Sequence, residues 1–205
     1  PLVGPTVKVD RVFGPDRFTT SLVVGKAGWT SALRAYLATG AGYADALSAS
    51  GVAAAEGAPV ILVDGTKRSL DAGTIDVLKA LGTKTVVVAG GPVAVPDEIA
   101  KQLAGLGIAV DRKGGADRYD TSRLLASGAY PSTAARVYLA SGENFRDALS
   151  GAILAGQQRA PIFVTPVSCL KSGVKDYMLS HGTTNAALIG GPVALSDAVL
   201  SSIRC

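Results

Sequence analysis

The side chains best suited to chemistry are few, and they come in pairs about one hundred residues apart. Arg17 and Arg118 each follow an aspartate, as Asp16-Arg17 and Asp117-Arg118, and each precedes a Thr-Ser pair, Thr20-Ser21 and Thr121-Ser122. A guanidinium is a planar fork of N–H donors that suits carboxylates and phosphates, while the preceding Asp can cap the helix it opens. Each Arg is thus fitted either to hold parts of the chain together or to touch an anionic ligand. A second pair, Asp45 and Asp147, ends the segments Thr39-Gly40-Ala41-Gly42-Tyr43-Ala44-Asp45 and Ser141-Gly142-Glu143-Asn144-Phe145-Arg146-Asp147. Each carboxylate is expected to open a helix, where free N–H groups stabilise it. The glycines superficially resemble a dinucleotide loop, but the third glycine is missing from both segments, and Asn144 stands where the first has Gly42. A nucleotide is therefore a poor fit. The candidate ligand-binding residues are Arg17, Arg118, Asp45, Asp147, Gly42 and Asn144.

A catalytic role finds little to work with. The one histidine is His181, so a centre needing several histidines cannot be assembled from this chain. There is no Gly-x-Ser-x-Gly elbow and no phosphate loop. Asp45, Asp147 and Glu143 have the right chemistry for carboxylate-pair hydrolysis, but nothing in the sequence places two of them at a working distance. The expectation is a non-enzyme with no catalytic residues, no metal and no cofactor.

What must position these residues is a duplicated unit. Tyr43-Ala44-Asp45-Ala46-Leu47-Ser48 returns as Phe145-Arg146-Asp147-Ala148-Leu149-Ser150, and Ala58-Pro59-Val60-Ile61 as Ala160-Pro161-Ile162-Phe163. Gly90-Gly91-Pro92-Val93-Ala94 returns as Gly190-Gly191-Pro192-Val193-Ala194, a strand-to-helix turn in each copy. So steady an offset marks two copies of one folding unit. They divide near Gly105-Leu106-Gly107, giving modules over 1–107 and 108–205. Continuously apolar runs such as Pro59–Val63 and Thr85–Ala89 suit strands buried on both faces of a parallel sheet. Strands are predicted near 7–12, 34–39, 59–63 and 85–89, then near 109–113, 136–140, 161–165 and 185–189. Helices are predicted near 17–27, 44–55, 70–81 and 97–104, then near 118–128, 146–157, 171–180 and 197–203. The alternation predicts an α/β fold of two tandem modules, each a small, mainly parallel sheet flanked by helices, packed together without a long linker.

Composition sets outer bounds. No apolar run reaches the roughly 18 residues of a membrane span, so membrane insertion is not expected. The start at Pro1, without Met or a signal-peptide pattern, predicts a processed or trimmed N-terminus. Residues 1–108 carry ten Lys/Arg against nine Asp/Glu, and residues 109–205 carry ten against seven, seven of the ten being arginine. No basic run is interleaved with aromatics, which argues against nucleic acid and leaves a polyanion compatible. Cys169 and Cys205 both fall in the second copy. A bridge between them is favoured over two buried thiols, since core packing does not account for a cysteine at the last position, and it requires an oxidising compartment.

Taken in order, the motifs resemble the bacterial cell-wall-binding type 2 repeat. The resemblance rests on Arg11-Val12-Phe13-Gly14-x-Asp16-Arg17-Phe18-x-Thr20-Ser21, Leu37-Ala38-Thr39-Gly40 through Asp45-Ala46-Leu47, Ala58-Pro59-Val60-Ile61-Leu62, and Val87-Val88-Ala89-Gly90-Gly91-Pro92. The second copy adds Leu139-Ala140-Ser141-Gly142-x-Asn144-Phe145-x-Asp147-Ala148-Leu149-Ser150. The resemblance implies Rossmann-like units that anchor a secreted protein to anionic secondary polymers of the Gram-positive cell wall. It also implies that three units pack as a pseudo-trimer, so that a further repeat or a homo-oligomer would complete the two copies. Alternatives are part of a peptidoglycan hydrolase of the N-acetylmuramoyl-L-alanine amidase type, or a structural or adhesive surface protein. Two features depart from the pattern. Lys113-Gly114-Gly115 replaces Val12-Phe13-Gly14, and the cysteines have no counterpart in the first copy.

Overall fold

Strand runs with no polar side allow only one arrangement, a sheet with helices on both faces. In the computed structural model, which describes residues 8–205, helix and strand alternate from end to end. The first copy contributes α1 (Arg17–Gly28), β1 (Arg34–Thr39), α2 (Ala44–Glu56), β2 (Val60–Val63), α3 (Ala72–Ala80), β3 (Thr85–Ala89) and α4 (Asp97–Gly105). The second contributes β4 (Ala109–Lys113), α5 (Arg118–Ala129), β5 (Arg136–Ser141), α6 (Arg146–Gln157), β6 (Ile162–Thr165), α7 (Ser172–Ser180), β7 (Asn185–Ile189) and α8 (Asp197–Leu200).

The strands form two parallel sheets, one ordered β2-β1-β3-β4 and the other β6-β5-β7. Side chains alternate across each strand, so one run feeds two cores. In the first sheet Leu37, Ile61, Val86 and Val88 pack with Val77, Leu78, Ile99 and Leu103 on one face. Tyr36, Ala38 and Val87 pack with Ala49, Val52 and Ala53 on the other, where Leu125 of α5 joins them. The second core therefore reaches into the first. In return, Leu47 of α2 packs with Tyr138, Ala140, Ala155 and Ile162.

The units meet where α2 lies along α6, and the seam is made of small residues. A Cβ on Gly51 would stand 2.9 Å from Cγ2 of Ile162, and one on Gly156 would stand 2.7 Å from Cβ of Ala54. Side chains at these two positions would push the helices apart.

Three predicted elements need correction. The strand predicted near 7–12 is not formed. Val7 lies outside the described residues, and residues 8–12 take no strand pairing. The strand at 109–113 is present but completes the first sheet: Thr85 lies opposite Ala109 and Ala89 opposite Lys113. The reason is local. Gly107, at φ +76°, turns the chain straight back from α4, and β3-α4-β4 closes as an ordinary crossover between adjacent parallel strands. The last helix ends at Leu200 because residues 201–205 turn toward Leu170, whose N–H donates to Ile203 O at 2.7 Å. The Cys169–Cys205 disulfide holds them there, with Cα atoms 5.0 Å apart.

Candidate functional site

The Asp-Arg-x-x-Thr-Ser motif does the same four jobs in each unit. Asp16 and Asp117 cap α1 and α5, accepting from the N–H of Thr19 at 2.7 Å and of Asp120 at 2.8 Å. Arg17 and Arg118 each donate from Nη1, at 2.8 Å, to the carbonyl of Gly40 or Gly142 just after the unit's central strand. Thr20 and Thr121 accept from the N–H of Gly14 and Gly115, both at 3.0 Å, fixing the entry loop. Ser21 and Ser122 accept from Leu62 N and Val164 N on the edge strands, again at 3.0 Å. The motif locks the helix to both neighbouring strands. Neither guanidinium is paired with a carboxylate among the described residues, so each retains charge for another partner.

The two other motifs meet each other. Gly90 and Gly190 sit at φ +108° and +117°, a region that disfavours any side chain, and a Cβ there would come within 2.6 Å of Asp45 Oδ2 and 2.7 Å of Asp147 Oδ2. The glycine is required for its backbone angle and to leave room for the carboxylate. Asp45 and Asp147 open their helices as expected, each in the first turn. The N-cap positions are Tyr43 and Phe145, with no side-chain cap bond, and the carboxylates stand on the second helical residue, against the Gly-Gly-Pro loop. Burial pushes the Asp45 carboxyl above its ordinary value, and the nearby Arg118 charge opposes the shift.

These residues surround two clefts. The first, of ≈ 420 Å³, lies across the seam: Gly42, Asp45 and the Gly91-Pro92-Val93 loop belong to the first unit, and Ala116, Asp117, Arg118 and Thr121 to the second. Arg118 crosses the seam, with its Cζ 5.8 Å from the Tyr43 ring centroid, and the Tyr43 hydroxyl donates to Glu143 O at 2.9 Å. The second cleft, of ≈ 760 Å³, is apolar. Arg17, Val24, Gly42 and Tyr43 of the first unit face Phe145 and Leu149 of the second.

The fold therefore gathers Gly42, Asp45 and Arg118 at one seam, and sets Arg17 beside Gly42 in the larger cleft. Asn144 and Asp147 line neither cleft and sit on the matching loop and helix start of the second unit. There Asn144 Oδ1 accepts from Arg146 N at 3.3 Å, and Asp147 faces Gly190. Sequence reasoning missed Tyr43 and Phe145, whose rings lie 5.7 Å apart across the seam. The signal was an aromatic at the same place in both copies, among otherwise small residues.

Such an architecture, two interlocked α/β units whose repeated residues mostly hold the fold and whose remaining charges border clefts, defines a tandem binding module. Cell wall binding domain 2 (CWB2) matches residues 11–100 and 112–200, and the chain belongs to that family. It is 31% identical over 195 residues to the N-acetylmuramoyl-L-alanine amidase LytC of Bacillus subtilis, covering 95% of this chain and 38% of that protein. An uncharacterized protein of Pyrococcus horikoshii is 35% identical over 85 residues, covering 42% of this chain and 26% of its own length. Among solved structures, Cwp8 from Clostridium difficile superposes with a TM-score of 0.82 at 30% identity, covering 94% of this chain and 32% of that one. Cwp6 from the same organism gives 0.83 at 26% identity, covering 94% and 31%. The chain is thus a pair of cell-wall-binding repeats spanning well under half the length of these larger relatives.

Proposed function

We propose that the module holds an exported protein on the Gram-positive cell wall by binding an anionic secondary wall polymer along its clefts, without chemistry of its own. The observation that carries this reading is Arg118, a cation with no carboxylate partner among the described residues, at the border of a cleft that exists only because two units meet. Arg17 supplies the same group at the second cleft. Gly42 keeps the floor open, and Asp45, whose carboxyl is pushed above its ordinary value by burial, borders the same cleft. Asn144 and Asp147 hold the matching positions where a further repeat, or another copy, would form an additional cleft. Repetition raises avidity even where each site is weak.

A second reading makes the chain the wall-holding part of a larger hydrolase; its support is the similarity along nearly all of this chain to part of an amidase. That reading also leaves this chain without turnover of its own, so a peptidoglycan turnover assay tests it on the full-length protein: activity there and none in this chain is its expected result, and no activity in either refutes it. The leading reading is tested by retention on purified walls before and after their secondary polymers are stripped. Loss of retention only after stripping, and a fall in retention with added salt, are the expected results. Equal retention on stripped walls, or none on either, would refute it.

A further inference from the structure

The two sheets differ by one strand, and the missing one has a sequence counterpart in this chain. In the first sheet β3 is covered by β4, which comes from the opening of the following repeat. In the second sheet β7 is an edge, and Asn185 and Ala186 along it are exposed. The segment equivalent to β4 is residues 8–12, as the family match begins at Arg112 in one repeat and at Arg11 in the other. That segment has no strand partner, and Val9 and Val12 are 71% and 51% exposed.

We propose that residues 8–12 are a donated strand, which in a second copy of the chain lies parallel to β7 and completes the second sheet. The inference rests on the reading that repeats complete one another, and adds the element, register and charges that do it.

The pairing of β3 with β4 supplies the register. Thr85 opposite Ala109 becomes Asn185 opposite Lys8, and Ala89 opposite Lys113 becomes Ile189 opposite Val12. Gly90 N donates to Lys113 O at 2.9 Å, whereas Gly190 N has no backbone acceptor among the described residues; the carbonyl of Val12 is its match. The charges repeat as well. Arg112 reaches from β4 to the first turn of α4, with Nη2 3.1 Å from Asp97 Oδ1 and Nη1 donating to Gly90 O at 2.9 Å. The equivalents are Arg11, Asp197 and Gly190, and among the described residues Asp197 pairs with no cation while Arg11 pairs with no carboxylate. Residues 201–205 do not cover β7, because the Cys169–Cys205 bridge holds them beside Leu170. Each copy thus carries one donor segment and one acceptor edge. That makes the contact head-to-tail, closing as a ring or extending as a chain.

The test is sedimentation equilibrium of the whole chain over a wide concentration range, with no wall material present. The wild type is expected to gain mass with concentration. Arg11→Glu alone, and Asp197→Lys alone, each set like charges against each other and should weaken association about tenfold or more. An equimolar mixture of the two variants should restore it, because every arm then meets an edge of opposite charge; misfolded variants would not complement. A wild type whose mass is independent of concentration overturns the proposal. So does association untouched by either reversal, which would place the contact on another surface, such as the Val24 and Leu149 cleft. Because no polymer is present, either result leaves the wall-retention reading standing.

Discussion

Corresponding residues do opposite work on the two sides of this molecule. At the seam, Leu125 of α5 is 2% exposed and Leu47 of α2 is 9% exposed, each buried in the other unit's core. Their counterparts, Val24 of α1 and Leu149 of α6, are 46% and 49% exposed and line the apolar cleft. The repeat carries the same apolar positions in both copies, but burial comes from the neighbour. Val24 and Leu149 are therefore the repeat's seam positions left on an open side.

The largest effects should separate the two sides. Leu125→Ala removes a side chain enclosed by both units, and a loss of about 3 kcal/mol is expected by denaturant unfolding. Val24→Ala, its counterpart on the open side, should stay within about 0.5 kcal/mol. Equal losses would mean that the cleft is already filled in solution. Next is the clamp found only in the second unit. Cys205→Ser should cost about 4 kcal/mol in the chain-entropy picture for a 36-residue separation. If residues 201–205 are held by that bond, hydrogen exchange should quicken at the amides of Leu170 and Cys205 and leave the first unit unchanged.

A smaller effect sharpens the comparison of Asp45 with its surroundings. Its folded-state pKa is raised by burial, so the charged form is the destabilising one. That penalty is absent below the unfolded carboxylate value and fully present above the folded one. Asp45→Asn should therefore gain stability relative to wild type as pH rises through that window, and match it in acid. Wall retention should follow the same course, improving as Asp45 takes up a proton. An Asn variant with an unchanged pH profile would remove Asp45 from the site.

How much of this was legible in the sequence depends on how local each feature is. The α/β alternation and the parallel strands follow from runs such as Thr85–Ala89, whose pattern needs no partner to be read. The partner of 109–113 was not legible. Residues 8–12 and 109–113 open their repeats alike, and no periodicity says which sheet a strand will join, whereas the short return through Gly107 decides it in space. The Asp-Arg-x-x-Thr-Ser motif was visible as a repeat, but its division into cap, carbonyl tie, loop anchor and edge-strand anchor is tertiary. Asp45 was legible as a helix-opening carboxylate, but its approach to Gly90 was not, because that distance is set by a loop about 45 residues away along the chain. Tyr43 and Phe145 were missed since an aromatic at a loop looks like local packing until the second unit is beside it.

The central claim is that cations at the clefts, rather than the fold as such, hold the wall polymer. It is tested most directly by retention of the Arg17→Ala, Arg118→Ala double variant on intact walls, with circular dichroism confirming that its helices and strands are retained. The account predicts that retention falls by about tenfold or more and loses most of its salt dependence. Retention equal to wild type by a folded double variant would contradict it.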